Sequence, residues 1–218
     1  MTEALLSLAN LHVSIQAIGV LRGFSLELAR GQMIGLIGRN GAGKTTLLRS
    51  IMGHLPIEQG DISFLGQSLK KVERHERAAL GIGYMPEDRR LVPGFTVEEN
   101  ILLPTWTTDI PGRDERMKWI FSIMPEIETF RTRRSLELSG GQQKMVALAR
   151  ALMAGTKLLL LDEPFEGLAP ALARRLGEVI AGLKAQGMSI LIAESNEGQV
   201  ADLLSRAFRI ERGAVNAL

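Results

Sequence analysis

One stretch decides the fold of this chain: Gly38-Arg39-Asn40-Gly41-Ala42-Gly43-Lys44-Thr45-Thr46. It fits the pattern G-x-x-x-x-G-K-[ST], which is typical of a phosphate-binding loop. An apolar run at 33–37 precedes it and predicts a buried strand, and a helical run at 46–52 follows it. A strand, a loop and a helix in this order form the structural context that the motif requires. We therefore interpret this stretch as a nucleotide-binding loop.

Each part of this loop has a chemical role. Its glycines let the backbone turn tightly, so that several N–H groups converge on one anion, and the start of the helix adds a partial positive charge. We expect Lys44 to reach the β- and γ-phosphates of ATP, and the Thr45 hydroxyl to bind Mg²⁺. The alternative is a glycine-rich turn that happens to precede a helix, but such a turn needs neither the Lys nor the Thr.

The composition of the chain limits the classes of protein to which it can belong. It has no cysteine, which excludes disulfides and zinc sites of the cysteine type. Its net charge of +2 gives no overall field for nucleic acid, so we expect no nucleic-acid partner. The N-terminus lacks the pattern of a signal peptide, and no apolar run approaches the ~20 residues of a membrane span. We expect a cytoplasmic protein that can dock on a membrane-bound partner.

Strand-like and helix-like patterns alternate along the chain. Apolar runs at 157–161 and 189–193 predict buried parallel strands, and the alternation indicates an α/β fold with a mainly parallel, doubly wound sheet. The predicted helices lie at 69–80, 96–103, 113–124, 139–153 and 170–186. The sequence predicts a single domain, 1–218, whose core comprises residues 1–86 and 154–218 and whose helical subdomain comprises about 87–153.

Two adjacent carboxylates end the apolar strand that begins at 157. Asp162 is predicted to hold Mg²⁺, and Glu163 is then placed to polarise the attacking water as a general base. The alternative is an ordinary solvated strand end. The apolar character of the strand and the phosphate-binding loop upstream favour the catalytic interpretation.

A second motif, Ser139-Gly140-Gly141-Gln142, precedes a predicted helix. Ser139 could cap that helix, and the two glycines leave its first N–H groups open to an anion. This predicts a second anion site in a chain that has one nucleotide loop. The alternative is an ordinary capped helix start.

Together these motifs resemble one family. The phosphate-binding loop, LSGGQ at 138–142 and LLLLDEP at 158–164, in this order, resemble the nucleotide-binding subunit of an ABC transporter. The resemblance implies a RecA-like core, an antiparallel β portion and a helical subdomain. It also implies a head-to-tail dimer with a second ATPase, identical or different, in which each ATP lies between one loop and the partner's LSGGQ helix. Membrane permease subunits would be further partners, at the inner face of the cell membrane.

Two segments indicate a narrower group within this family, and several positions depart from the family pattern. Residues 81–90 and 96–100 resemble the ATPases of branched-chain amino acid importers, although simple-sugar and urea importers share parts of the pattern. The aromatic residue that stacks on adenine would fall near Ile15. A glutamine of the metal site is replaced by Glu87, and the catalytic histidine after the last core strand is replaced by Ser195.

Two other hypotheses about the function stay open, and the departures at Ile15 and Ser195 favour the first of them. The chain could be a degenerate subunit that binds ATP and closes the dimer while its partner hydrolyses, or a soluble ABC ATPase of assembly or repair. The intact Lys44, Asp162 and Glu163 oppose the first hypothesis. The lack of a second nucleotide motif, a long coiled insertion or a basic patch opposes the second. Because serine is neutral, we expect slow hydrolysis at the site that contains Ser195.

Overall fold

The computed structural model describes residues 4–217, and a six-stranded sheet forms their centre. The strand order is β10-β9-β3-β8-β7-β6, in which β10 is antiparallel to its neighbour and the other strands are parallel. The parallel sheet confirms the predicted α/β class. Its strands are β3 Met33–Ile37, β6 Ile82–Met85, β7 Leu158–Asp162, β8 Ser189–Glu194, β9 Arg206–Glu211 and β10 Ala214–Ala217.

A smaller antiparallel sheet packs against one face of the central sheet, with the helix of the phosphate-binding loop between them. Its order is β2-β1-β4-β5. Helix α1 (Lys44–Ile51) contributes Leu47 and Leu48 to the apolar cluster that both sheets share. The resemblance implied this antiparallel portion. Its strands are β1 Ala4–Ile15, β2 Ile18–Ala29, β4 Gln59–Phe64 and β5 Gln67–Ser68.

Helices cover the other face of the central sheet. Alternate residues of β7 point to opposite faces, so Leu158 packs toward α1 and Leu159 packs toward these helices. The predicted helices at 96–103, 113–124, 139–153 and 170–186 are confirmed to within two residues. The helices are α2 Val97–Leu102, α3 Arg113–Ile123, α4 Pro125–Glu128, α5 Gly140–Ala154 and α6 Pro170–Ala185.

The fold bears only in part on three expectations from the sequence, which concern the division into subdomains, membrane-spanning helices and a signal peptide. The division into a core and a helical subdomain stays a prediction. Within residues 4–217, no helix has the length and apolar character needed to cross a bilayer. The expected lack of a signal peptide concerns the start of the chain, of which residues 1–3 lie outside the described part.

The predicted helix at 69–80 is wrong. A 3₁₀ turn at Leu69–Lys71 is followed by irregular turns up to residue 81. The cause is the buried guanidinium of Arg77, which donates to the carbonyls of Ser50 at 3.0 Å, Leu69 at 3.1 Å and Val72 at 3.3 Å. It also donates to the Ile51 carbonyl. The charged residue that suggested a solvent-facing helix instead ties this segment to the end of α1.

We expect Arg77→Met to lower the free energy of unfolding by about 2–3 kcal/mol, because several buried carbonyls lose their charged donor. Urea unfolding followed by circular dichroism measures the change. Arg74→Met is the matched control, since Arg74 is exposed on the same segment and should stay within about 0.5 kcal/mol of wild type. Equal losses in both variants would contradict the role of Arg77.

Candidate functional site

The phosphate-binding loop has the predicted position, between the end of β3 and the start of α1. Gly41 and Gly43 adopt φ values of 82° and 112°, a region that side chains other than glycine rarely enter. A Cβ atom on Gly38 would lie 2.5 Å from the carbonyl oxygen of Ile210, so this position has no room for a side chain. The glycines of the motif are therefore needed for the course of the backbone.

An open cavity of about 920 Å³ lies over the loop, at the carboxyl ends of β3, β8 and β9. This volume is in the range of cavities that hold a cofactor-sized ligand. The order of the strands, rather than any sequence motif, brings the residues after β8 and β9 to the loop. The lining residues are Ile37, Gly38, Arg39, Asn40, Gly41, Ala42, Ser195, Asn196, Glu197, Arg209, Ile210, Glu211 and Arg212.

Lys44 and Glu163, both predicted to be catalytic, are brought together. Lys44 Nζ lies 3.0 Å from Glu163 Oε1, and the two side chains are only 5% and 6% exposed. The same ammonium donates to the carbonyls of Gly38 at 2.5 Å and Arg39 at 3.2 Å. The lysine thus lies across the loop with its charge matched by a buried carboxylate.

Thr45 and Asp162, both predicted to bind the metal, are also neighbours. Thr45 Oγ1 donates to Asp162 Oδ1 at 3.1 Å, and the Tyr84 hydroxyl donates to Oδ2 at 3.2 Å. Burial raises the pKa of Asp162 to about 6, against the opposing effect of these two hydrogen bonds. Glu87 is exposed, and it is close enough for its charge to contribute to the raised pKa of Asp162.

This donor set fits Mg²⁺ that arrives with a nucleotide. In residues 4–217, no group of three or more histidine, aspartate or glutamate side chains is arranged to hold a metal ion. Mg²⁺ needs no such group, since it keeps several waters and takes one or two carboxylates together with substrate phosphates. The Thr45 hydroxyl and the Asp162 carboxylate supply hard oxygen ligands beside the loop. The metal role of Glu87 stays a prediction.

The backbone of Glu163 is held in an unusual conformation. Its φ is 47°, in the left-handed region, which costs a residue with a side chain of this kind on the order of 1–3 kcal/mol. The Glu163 N–H donates to the Ala193 carbonyl at 2.9 Å, and its own carbonyl accepts from Lys144 Nζ at 2.6 Å. These two hydrogen bonds hold the backbone of Glu163 and thereby fix the direction in which its side chain points.

The Glu163 carboxylate is ionised. Burial alone would raise its pKa, but the hydrogen bonds from Ser195 and the contact with the Lys44 ammonium outweigh burial and hold the pKa below its usual range. Ser195 donates to it twice, from Oγ at 2.6 Å and from the backbone N–H at 3.1 Å. A general base must be unprotonated to accept a proton, so this carboxylate is ready for that role.

Ser195 joins the base to the phosphate-binding loop. Its Oγ lies 2.7 Å from Oδ1 of Asn40 and accepts from Lys44 Nζ at 3.2 Å. A serine hydroxyl has one hydrogen to donate. When this hydrogen is donated to Glu163, the Asn40 amide must be turned so that its nitrogen donates to Ser195 Oγ. The hydrogen-bond network decides that orientation of the amide. The structure therefore brings Ser195 to the predicted site, and its catalytic role stays a prediction.

The second predicted motif lies elsewhere. Ser139 Oγ accepts from the Gln142 N–H at 3.3 Å, and Gln142 Oε1 accepts from the Ser139 N–H at 3.0 Å, which is a capping box on α5. A Cβ atom on Gly141 would lie 2.0 Å from Leu172. In the described part of the chain, Ser139, Gly140, Gly141 and Gln142 do not line the cavity, and neither does Ile15 at the end of β1.

A buried cation, Lys144, and a half-buried one, Arg150, were not predicted. Lys144 Nζ donates to the carbonyls of both Glu163 and Glu166 at 2.6 Å. Arg150 donates to the carbonyls of Arg89 at 2.5 Å and Arg90 at 2.6 Å. The signal for Lys144 was available, since it lies on the apolar face of α5, four residues before Leu148. A lysine in that place needs a buried partner.

Comparison with known proteins finds ATP-binding subunits of transporters by sequence and by structure. Residues 21–166 match the family described as ABC transporter. The ATP-binding protein BraG of Pseudomonas aeruginosa, named for high-affinity branched-chain amino acid transport, is 35% identical over 91% of this chain and 85% of its own length. The lipopolysaccharide export ATP-binding protein LptB of Acidithiobacillus ferridurans is 32% identical over 97% and 88%. The ADP conformation of MJ1267, an ATP-binding cassette of an ABC transporter, superposes with a TM-score of 0.84 at 26% identity, covering 99% and 90%.

Proposed function

This chain belongs to the ABC transporter family and is an ATPase of the transport-coupled type, and we propose that it powers an importer of branched-chain amino acids. The observation that carries the proposed hydrolysis is the ionised Glu163 held 3.0 Å from Lys44 at the phosphate-binding loop. The similarity to BraG supports the class of solute. The roles that we propose for the individual residues of the site follow from these contacts.

The loop and Lys44 bind the phosphates of ATP. Backbone N–H groups of the loop and the start of α1 face the anion, and the Lys44 ammonium leaves Glu163 for the β- and γ-phosphates. Thr45 and Asp162 would hold Mg²⁺, which neutralises phosphate charge when bound. Glu87 joins this set in the proposal, at the edge of the site.

Glu163 then acts on water. Freed from Lys44, its carboxylate accepts a proton from the water that attacks the γ-phosphate, a role that typically contributes about 10²–10⁴-fold to the rate. Ser195 holds the carboxylate by both of its oxygens, through its hydroxyl and its backbone N–H. A general base that is held in this way argues against the hypothesis of a degenerate subunit, which would bind ATP without hydrolysing it.

We propose that the complete site is formed by two chains. Ser139 caps the 15-residue helix α5 and Gly140, Gly141 and Gln142 form its first turn, and membership of the ABC transporter family supports their use on the ATP of a second ATPase subunit. Closure of that dimer around ATP would move membrane permease subunits, so the chain would work at the cytoplasmic side of the membrane. Ile15, near the adenine in this proposal, offers aliphatic contact only.

A second candidate for the transported substrate is lipopolysaccharide, moved outward rather than inward. Its support is the similarity to LptB over nearly the whole chain. Import of urea or simple sugars is a further alternative that the resemblance left open. These candidates share the ATP chemistry and differ in the permease that the chain serves.

The uptake of labelled leucine, isoleucine and valine tests the substrate. We expect cells that lack this gene to lose uptake, and expect the wild-type gene but not Glu163→Gln to restore it. Uptake of labelled lysine is the control and should not change. Normal leucine uptake together with a defect in lipopolysaccharide export would overturn the importer proposal and leave the ATPase assignment intact.

Ser195→Ala should lower the rate of ATP hydrolysis about tenfold, because one hydrogen bond to a charged group is lost. Ser195→His should raise the rate, since a charged donor forms a hydrogen bond about twice as strong as a neutral one. Steady-state ATPase rates of the assembled complex measure both. An unchanged rate in Ser195→Ala would show that the hydroxyl does not hold the base.

A further inference from the structure

Tyr84 is a residue of β6 that the proposed mechanism does not use. Its register partner in the neighbouring strand β7 is Leu160. Side chains alternate between the faces of a sheet, so Ile82 and Tyr84 both lie on the face that packs toward α1, and Leu160 and Asp162 share that face. Tyr84 is therefore one diagonal step from Asp162, a separation that an aromatic side chain can span.

The Tyr84 hydroxyl contacts the carboxylate that is proposed to bind the metal. It donates to Asp162 Oδ2 at 3.2 Å, whereas Oδ1 accepts from the Thr45 hydroxyl at 3.1 Å. Asp162 is fully buried, and in the described part of the chain no other group donates to Oδ2. Each oxygen of this carboxylate thus has its own donor, one at the start of α1 and one on β6.

The two hydrogen bonds differ in what they do once a metal is bound. A hydroxyl has one hydrogen and two lone pairs, so Thr45 can donate to Oδ1 and still offer a lone pair to Mg²⁺. The terminal torsion of an aspartate is broad, so a carboxylate that is held at one oxygen can turn about it. The hydrogen bond from Tyr84 removes this freedom and keeps Oδ1 directed toward Thr45.

We propose that Tyr84 is a positioning residue of the metal site, whose hydroxyl holds Oδ2 of Asp162 and keeps the carboxylate oriented for Mg²⁺ that arrives with ATP. The inference rests on the proposed metal role of Thr45 and Asp162. Tyr84 contacts neither the metal nor the nucleotide in this proposal. Loss of its hydroxyl should therefore weaken the binding of Mg²⁺ and leave the contacts between the loop and the phosphates unchanged.

Tyr84→Phe removes the hydroxyl and keeps the ring, so the apolar packing of β6 is retained. Titration calorimetry with the non-hydrolysable ATP analogue AMP-PNP, once with excess Mg²⁺ and once with EDTA, measures how much Mg²⁺ increases the nucleotide affinity. We expect Tyr84→Phe to reduce this increase about tenfold, because hydrogen-bond partners of metal ligands contribute about 10–100-fold to metal affinity. In EDTA the variant should bind AMP-PNP as wild type does.

The control and the contrary outcomes separate a positioning role from a structural one. Ser122→Ala removes an exposed hydroxyl on α3 and should match wild type in both titrations. If Tyr84→Phe lost affinity equally with and without Mg²⁺, or kept the full effect of Mg²⁺, the proposal would be overturned. A wild type whose affinity does not depend on Mg²⁺ would instead refute the metal role of Thr45 and Asp162.

A second variant tests whether Tyr84 acts through the carboxylate. In an Asp162→Ala background, Tyr84→Phe should cause no further loss of the Mg²⁺ effect, and an additional tenfold loss would contradict the proposal. Tyr84 is the only tyrosine of the chain, so the tyrosine bands in ultraviolet resonance Raman spectra report this hydroxyl alone. Wild type should show a hydroxyl that donates to a carboxylate, and Asp162→Ala should lose this signature. Unchanged bands would mean that the hydroxyl donates elsewhere.

Discussion

Glu163→Gln is expected to slow ATP hydrolysis by about 10²–10⁴-fold, the usual contribution of a general base. Glutamine has nearly the same shape and can still accept the hydrogen bond from the Ser195 hydroxyl. It is not basic at neutral pH, however, and cannot take the proton from water. The loop, Thr45 and Asp162 are unchanged, so the sites for phosphate and metal remain.

The same change should strengthen ATP binding. In wild type the Lys44 ammonium must leave the Glu163 carboxylate at 3.0 Å before it serves the phosphates. A neutral glutamine removes that competition, and slow cleavage then leaves ATP bound between two chains. Size-exclusion chromatography with Mg²⁺ and ATP should show a larger species for Glu163→Gln, and Glu115→Gln, a change of an exposed glutamate on α3 away from the cavity, serves as the control. Undiminished hydrolysis in Glu163→Gln would mean that another residue is the base.

Lys44→Ala is expected to weaken Mg²⁺-ATP binding about 100-fold, which corresponds to two charge-assisted hydrogen bonds at about 1.5 kcal/mol each. Titration calorimetry measures the affinity. The variant also leaves Glu163 buried without its cation, and loss of one partner of a buried ion pair is destabilising. For this reason the thermal unfolding of the variant must be followed in parallel.

A double variant separates the two effects of Lys44→Ala. Lys44→Ala with Glu163→Gln has no unpaired buried charge, so it should regain stability without regaining ATP affinity. If the double variant bound ATP as tightly as Glu163→Gln alone, Lys44 would not be a phosphate ligand. If it stayed as unstable as Lys44→Ala, the ion pair would not explain the loss of stability.

The parts of the site that the sequence could predict depend on local patterns. Glycine spacing defines the loop from Gly38 to Lys44, because a tight turn between a strand and a helix needs those residues in that order. Asp162 and Glu163 stand out because carboxylates end an apolar strand. Ser139 caps its helix as expected, since a capping box involves residues only three apart.

The parts that the sequence could not predict depend on distant partners. Arg77 binds carbonyls up to 27 residues away, and this overrides the helical pattern at 69–80. Ser195 and Glu163 are 32 positions apart and meet only because β7 and β8 are neighbours in the sheet. A pattern within one segment contains no information about such neighbours.

Lys144 gives α5 a further property. The helix begins at the residues that we propose to touch the ATP of the partner subunit, and near its first turn Lys144 is bonded to the carbonyls of Glu163 and Glu166 at 2.6 Å. In such a dimer, a displacement of α5 by nucleotide across the interface would reach the backbone of Glu163 in this chain's own site through the first of these hydrogen bonds. The two sites of a dimer would then be cooperative, and the occupancy of one would set the readiness of the other.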